Sequence, residues 1–336
     1  MTAALPTPRT PDPMLAPSLR WGVIGSGWIV DRFVTTVREN TTQQVVALGS
    51  RDGARARAVA DRLGIPTAYG SYQELAADPR VDIVYVATGH ADHLPCARIS
   101  LAAGKHTLVE KPLAINAFEA KELVALAREK GVFCAEALWS FFLPRYDVVR
   151  QILEQGLLGD VHTVLADNGE AFAPDHRILR ADALGGPMLD LGTYPISLAT
   201  WVLGAPRSVV AARRPHPAGV TGQVGAVLGD VSGNQAVVHA SVLGDTPVTA
   251  SIAGSKGFLF LPGPFYQPGD VLLTLHGAST VVHTEPRIGH RGLFYEAAEV
   301  ARCVAAGLAE TPLRPLADSI TTLRAMDAVQ QCCTDR

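Results

Sequence analysis

Lys111 is the residue best placed for acid–base chemistry. It lies in Glu110-Lys111-Pro112, directly after the apolar run His106 to Val109. An amine at such a strand end can exchange a proton with a substrate hydroxyl or carbonyl oxygen once its surroundings tune it. Pro112 admits a cis peptide that would aim the side chain rigidly. A second pattern lies near the N-terminus, where Trp21 to Ile24 is followed by Gly25-Ser26-Gly27 and then by Trp28-Ile29-Val30. Gly25 allows a tight turn and Gly27 has no Cβ to block a pyrophosphate. The N–H groups opening the next helix can receive its oxygens. Gly25, Ser26, Gly27, Trp28 and Ile29 are therefore candidate nucleotide contacts, although Val30 stands where the fingerprint has a third glycine.

The end of the second strand discriminates between cofactors. An acid there would bind the ribose hydroxyls of NAD. This chain has Ser50-Arg51, with Arg55 one turn into the next helix. A hydroxyl and two guanidinium groups suit a 2′-phosphate, so NADP is expected, with NAD as the alternative. Asp52 is either a displaced ribose acid or a helix cap.

These residues need a scaffold, and the hydrophobic periodicity supplies one. Strands are predicted over 19–24, 44–48, 81–87, 106–109 and 132–135, with helices over 28–39, 54–63, 71–77, 92–103 and 117–130. That alternation predicts a parallel sheet covered on both faces. Beyond a helix at 144–155 come longer stretches at 161–170, 207–214, 222–229, 234–243, 248–254 and 257–261. Several of these alternate polar and apolar residues, the mark of a mainly antiparallel sheet with one covered face. Helices at 292–307 and 316–332 close the chain. The expected fold class is α/β, a doubly wound parallel domain over 19–138 followed by an α+β domain over 139–334. Residues 1–18, with Pro6, Pro8, Pro11, Pro13 and Pro17, are expected to form an extended, disordered leader.

Bulk composition narrows the function. The 336 residues carry a formal charge of -3 and are 48% hydrophobic and 18% charged. This balance excludes a basic footprint for nucleic acid or an anionic membrane, and no apolar stretch approaches the roughly 20 residues of a transmembrane helix. Five scattered cysteines without a C-x-x-C pair point to a reduced, cytoplasmic setting rather than a disulfide framework. The histidines show no ligand spacing, so no metal is expected.

Taken in order, several motifs resemble one family: Gly25-x-Gly27, then Val81-Asp82-Ile83-Val84-Tyr85-Val86-Ala87-Thr88 with His93, then Ala102-Ala103-Gly104-Lys105-His106 before Glu110-Lys111-Pro112. It is the glucose–fructose oxidoreductase, inositol dehydrogenase and rhizopine-catabolism (Gfo/Idh/MocA) family, from Arg20 to the last helix. The stretch Gly185-Gly186-Pro187-Met188-Leu189-Asp190-Leu191-Gly192-Thr193-Tyr194, together with Glu136-Ala137-Leu138-Trp139, is similar to the tyrosine-using, dihydrodiol dehydrogenase-like branch. The resemblance implies a Rossmann domain, a bound nicotinamide nucleotide, and a C-terminal sheet that pairs subunits into a homodimer or homotetramer. It further implies that Lys111 and Tyr194 share proton transfer, that Asp190 and Glu110 orient them, and that Thr88, His90, His93 and Pro112 line the cofactor's nicotinamide side.

Departures from the family pattern bear on the substrate. Thr88-Gly89-His90 replaces Thr-Pro-Asn, and Phe141 replaces an arginine. Trp139, Phe141, Arg177 and Tyr194 are expected to face the substrate, with His176 and Arg180 as further hydrogen-bonding candidates. The expected activity interconverts alcohol and carbonyl on a sugar, cyclic polyol or dihydrodiol. The competing reading is an inactive nucleotide- or sugar-binding sensor of the same fold.

Overall fold

The computed structural model describes residues 5–335. Two compact units form. One comprises Pro11–Phe142 with His290–Ser319; the other comprises the described part of 1–10, Leu143–Gly289, and the chain from Ile320 onward. The sequence division at 138 leaves 290–319 with the second domain, whereas the structure packs that segment with the first.

In the first unit, β1 (Arg20–Ile24), β2 (Gln44–Gly49), β3 (Thr67–Tyr69), β4 (Ile83–Val86), β5 (His106–Glu110) and β6 (Cys134–Ala137) form a sheet in the order 3-2-1-4-5-6. Every pairing is parallel. β4 is buried along its whole length, as a strand covered on both faces must be. The covering helices are α1 (Trp28–Asn40), α2 (Gly53–Leu63), α3 (Tyr72–Ala77), α4 (His93–Ala102) and α5 (Ala117–Lys130). The order in which strands are added reverses between β1 and β4, and such a switch opens a crevice at the carboxyl ends of the strands.

In the second unit, α6 (Pro144–Glu154) precedes a sheet of nine strands. They are β7 (Val161–Gly169), β8 (Ser208–Pro215), β9 (Thr221–Gly229), β10 (Gln235–Ser241), β11 (Ala250–Gly254), β12 (Gly257–Leu261), β13 (Val271–Leu275), β14 (Val281–His283) and β15 (Cys333–Asp335), in the order 14-13-12-11-7-10-9-8-15. β7–β10 and β8–β15 are parallel, and the other pairs are antiparallel. The helix α7 (Thr193–Leu203) covers one face. β3, β13, β14 and β15 were not among the expected strands. Three of the four have only three residues, too few to show a period.

The helices α8 (Phe294–Ala305) and α9 (Leu316–Cys332) close the fold. The leader departs from expectation. Within its own unit, Arg9 pairs with Asp147 at 2.7 Å and the Thr7 carbonyl accepts Gln151 Nε2. Within the other, Ala16 is buried against Ala298 and Ala301 of α8, and Arg302 donates to the Pro11 and Asp12 carbonyls. Prolines lower the entropy lost in laying down an extended segment, and these anchors then hold it. Residues 1–4 of the expected leader lie outside the described residues.

Candidate active site

The phosphate loop follows β1. Gly25 has φ +128°, and a Cβ there would fall 2.3 Å from the Ala87 carbonyl oxygen, so only glycine fits. At Gly27 a Cβ would meet nothing within 4 Å, which leaves the space open to a ligand. Gly27 caps α1 without a side-chain hydrogen bond, and while the Val30 N–H donates to the Gly27 carbonyl, the Trp28 and Ile29 amides at the start of the helix can face an anion. A dinucleotide pyrophosphate therefore fits Gly25, Ser26, Gly27, Trp28 and Ile29.

At the end of β2 the structure resolves the role of Asp52, whose carboxylate caps α2 by accepting the Arg55 N–H at 3.0 Å. Arg55 Nη2 donates to the Ser26 carbonyl, which brings it beside the phosphate loop. Arg51 is 75% exposed along its side chain and contacts Asp92 at 3.3 Å. Ser50 Oγ accepts the Asp52 N–H.

The Lys111–Pro112 peptide is cis. Glu110 accepts a short hydrogen bond from the Tyr85 hydroxyl, and its other oxygen accepts the Lys111 N–H at 3.1 Å. His93 is fully buried, with Nδ1 2.8 Å from the Pro112 carbonyl. It braces the turn that carries Lys111. His90 is also buried and lies edge-on to His93, while Thr88 Oγ1 is buried without a hydrogen-bond partner.

One residue here escaped the sequence reading. The His290 ring stacks on Trp139 at 5.3 Å and meets Trp28 edge-on at 5.2 Å. Burial, then the charges of Lys111 and Arg32, hold its pKa below the usual histidine range. Lys111 and His290 lie far apart in sequence, so no spacing rule could pair them. Phe141, expected to face substrate, packs against a buried cation. Its ring is buried beneath the guanidinium of Arg314, 4.8 Å away. Arg314, itself fully buried, pairs with Glu136 at 3.1 Å, and Glu136 also accepts Ser319 Oγ and the Leu113 N–H.

The second unit carries its own cluster. Met188–Gly192 forms a π-turn leading into α7, an irregularity that places Asp190 just before Tyr194. Asn168 Nδ2 donates to the Leu191 carbonyl, and Thr193 Oγ1 to that of Leu189. Arg177 Nη2 holds Asp190 Oδ2 at 2.7 Å. Arg180 instead pairs with exposed Asp182, and His176 stacks on Phe172. Tyr194 is buried and stacks on Tyr266. Arg145 fixes the Tyr266 loop through the carbonyls of Pro262, Pro264, Gln267 and Asp270, at 2.8 to 3.2 Å. Among the described residues no group of His, Cys, Asp or Glu could hold a metal, and no helix is long and apolar enough to cross a membrane.

A parallel sheet with a phosphate loop, a lysine at a strand end and an open, mostly antiparallel second sheet define the class of two-domain, nicotinamide nucleotide-dependent oxidoreductases. The profile of an oxidoreductase family with an NAD-binding Rossmann fold, Gfo/Idh/MocA, matches residues 19–138, and that of the family's C-terminal domain matches 146–260. The chain belongs to this family. It is 36% identical to the trans-1,2-dihydrobenzene-1,2-diol dehydrogenase of Bos taurus over 313 residues, covering 90% of this chain and 93% of that one. The human protein of the same name is 34% identical over the same length and shares. Among solved structures, a 3-ketoreductase from Actinomadura kijaniata in complex with NADP and TDP-benzene superposes with a TM-score of 0.82 at 28% identity, covering 95% of this chain and 98% of the other. Solved forms of that ketoreductase include one with a lysine changed to alanine and one with a tyrosine changed to phenylalanine.

Proposed function

We propose that this oxidoreductase prefers NADP and interconverts a secondary alcohol and a ketone, or a hemiacetal and a lactone, on a sugar, cyclic polyol or dihydrodiol. The observation that carries this reading is Lys111 at the carboxyl end of β5, on a turn held by Glu110, Tyr85 and His93. That is where open α/β sheets bind their ligands.

When bound, the nicotinamide supplies or accepts hydride. The protein's part is proton traffic at the substrate oxygen, for which we assign Lys111 and Tyr194. The group that takes the hydroxyl proton during oxidation returns it during reduction. Asp190, itself oriented by Arg177, directs Tyr194. Trp139 and His290 offer aromatic faces to a ring-shaped substrate. The dihydrodiol dehydrogenases, named for a ring diol, and the 3-ketoreductase, named for a ketone, support this substrate class.

For the cofactor, Arg55 beside the phosphate loop and the exposed guanidinium of Arg51 offer charge to a 2′-phosphate. A sensor role is disfavoured, because it needs no proton-exchanging lysine. Residues Leu165, Val237, Val227 and Val210 lie opposite one another across four strands and are all exposed, an apolar row suited to pairing two copies of the chain. The free cysteines, three of them buried, suit a reducing cytoplasm.

The test is nicotinamide absorbance with NADP and a panel of sugars, cyclitols and diols. Steady turnover that is lost in Lys111→Ala, with NADP still bound, is the expected result. Binding without turnover on every substrate overturns the reading in favour of the sensor.

A further inference from the structure

The strand ends on either side of the phosphate loop are joined by one ion pair. Gly25 donates its N–H to the Gly49 carbonyl at the end of β2, at 3.1 Å, and a Cβ on Gly25 would strike the Ala87 carbonyl just beyond β4. Arg51 follows Gly49 by two residues, and Asp92 follows Ala87 by five. Their side chains meet, Nη2 to Oδ2, at 3.3 Å. The pair therefore runs from the β2 side to the β4 side, across the carboxyl end of β1 where the loop begins.

Stability does not explain this contact. Asp92 is the N-cap residue of α4, where an aspartate ordinarily accepts an amide of the first turn, yet it makes no such bond. An exposed ion pair contributes no more to folding than the cap it replaces. The Asp92 N–H donates to the Gly89 carbonyl at 2.9 Å, which closes the turn His90–Asp92 and fixes where its side chain starts. Asp52, the nearer acid in sequence, is committed to capping α2. Among the described residues, Asp92 is the acid in ion-pair contact with Arg51.

Arg51 is also the guanidinium offered to a 2′-phosphate. A phosphate monoester carries about −1.5 to −2 charge at neutral pH and seeks the same N–H groups that face the carboxylate. Both anions at one guanidinium would set like charges side by side. We propose that Asp92 sets how far the enzyme discriminates between NADP and NAD. NADP has to displace the Asp92 carboxylate from Arg51, whereas NAD, with a hydroxyl in place of the phosphate, leaves the pair closed. Asp92 acts through Arg51 and takes no part in proton or hydride transfer. It weakens NADP selectively and so lets NAD compete. The inference rests on the 2′-phosphate reading of Arg51, and the test separates the two.

The full chain is titrated with NADPH and with NADH, and the fluorescence of the reduced nicotinamide reports binding without any turnover. Asp92→Asn keeps the size of the side chain and removes its charge. It should bind NADPH about three- to five-fold more tightly than wild type at low salt, with NADH held within about 1.5-fold. Raising the salt to about 0.5 M should shrink that gain, because exposed charges are screened. In an Arg51→Gln background the gain should fall below about 1.5-fold, as expected for two residues that act as a pair. If Arg51→Gln weakens NADPH but Asp92→Asn leaves it unchanged or weaker, the inference is overturned. A gain that persists in full without Arg51 overturns it too, since Asp92 then acts by general repulsion. If Arg51→Gln changes neither nucleotide, the 2′-phosphate reading itself falls and takes the inference with it.

Discussion

The rings of Tyr194 and Tyr266 stack with centroids 4.0 Å apart and planes 16° from parallel, so the tyrosine that follows the π-turn has a fixed aromatic wall. Arg145 makes that wall rigid by binding four carbonyls of the Tyr266 loop, and burial raises the Tyr266 pKa above the usual range, keeping the ring neutral. Removing the wall should loosen Tyr194 without unfolding the sheet. Tyr266→Ala is expected to lower kcat about three- to ten-fold, in line with a stacked aromatic pair, while Tyr266→Phe keeps it. In a Tyr194→Phe background the alanine effect should shrink; an undiminished effect shows that the two rings act independently.

Cofactor choice is expected to follow charge at the end of β2. Arg51→Asp should weaken NADP by about ten-fold or more and change NAD little, since a charge-assisted contact contributes about 1.5–3 kcal/mol. Titration by nucleotide fluorescence at two ionic strengths checks this. Equal weakening of both nucleotides removes Arg51 from the 2′-phosphate site.

The Glu136–Arg314 pair should behave as a buried ion pair. Arg314→Met alone leaves Glu136 unpaired beneath the Leu113 amide and should destabilise by about 3–5 kcal/mol, read as a fall in denaturation midpoint. Glu136→Leu in the same chain should recover much of that loss. If kcat stays low in the recovered double variant, the pair also holds the Lys111–Leu113 turn.

Stability should carry a signature of Glu285. Burial pushes its carboxyl up to about 7, against relief from the Gly269 N–H and Arg145. Because the folded-state value is raised, the group's contribution is full below about 4.5 and is lost as pH rises through about 7. Glu285→Gln should therefore match wild type in melting temperature at low pH and exceed it above neutrality. A constant difference across that window would contradict the assignment.

The exposed row on the nine-stranded sheet predicts self-association. Val227→Lys with Val237→Lys puts two charges at its centre and should yield a smaller particle by light scattering, with the circular dichroism spectrum kept. An unchanged mass places any subunit contact elsewhere.

The sequence alone determined whatever depends on neighbours along the chain. The G-x-G turn, the strand–helix rhythm of the nucleotide unit, and the helix over 117–130 are local signals, and each is where it was expected. The lysine after β5 was legible for the same reason: a strand end in a parallel sheet is a ligand position whatever surrounds it. Asp52 was half legible, because a cap and a ribose acid look alike until the Arg55 amide is seen to point at it. The tertiary structure alone decided which distant residues meet. The return of His290–Ser319 to the first unit brings His290 to Trp139 and Trp28, and Arg314 to Glu136. Each is a pairing of charge or ring across long sequence separation, and only the packing of α8 and the segment beyond it creates them. The leader was misjudged on the same ground, since proline content does not reveal what a segment will pack against.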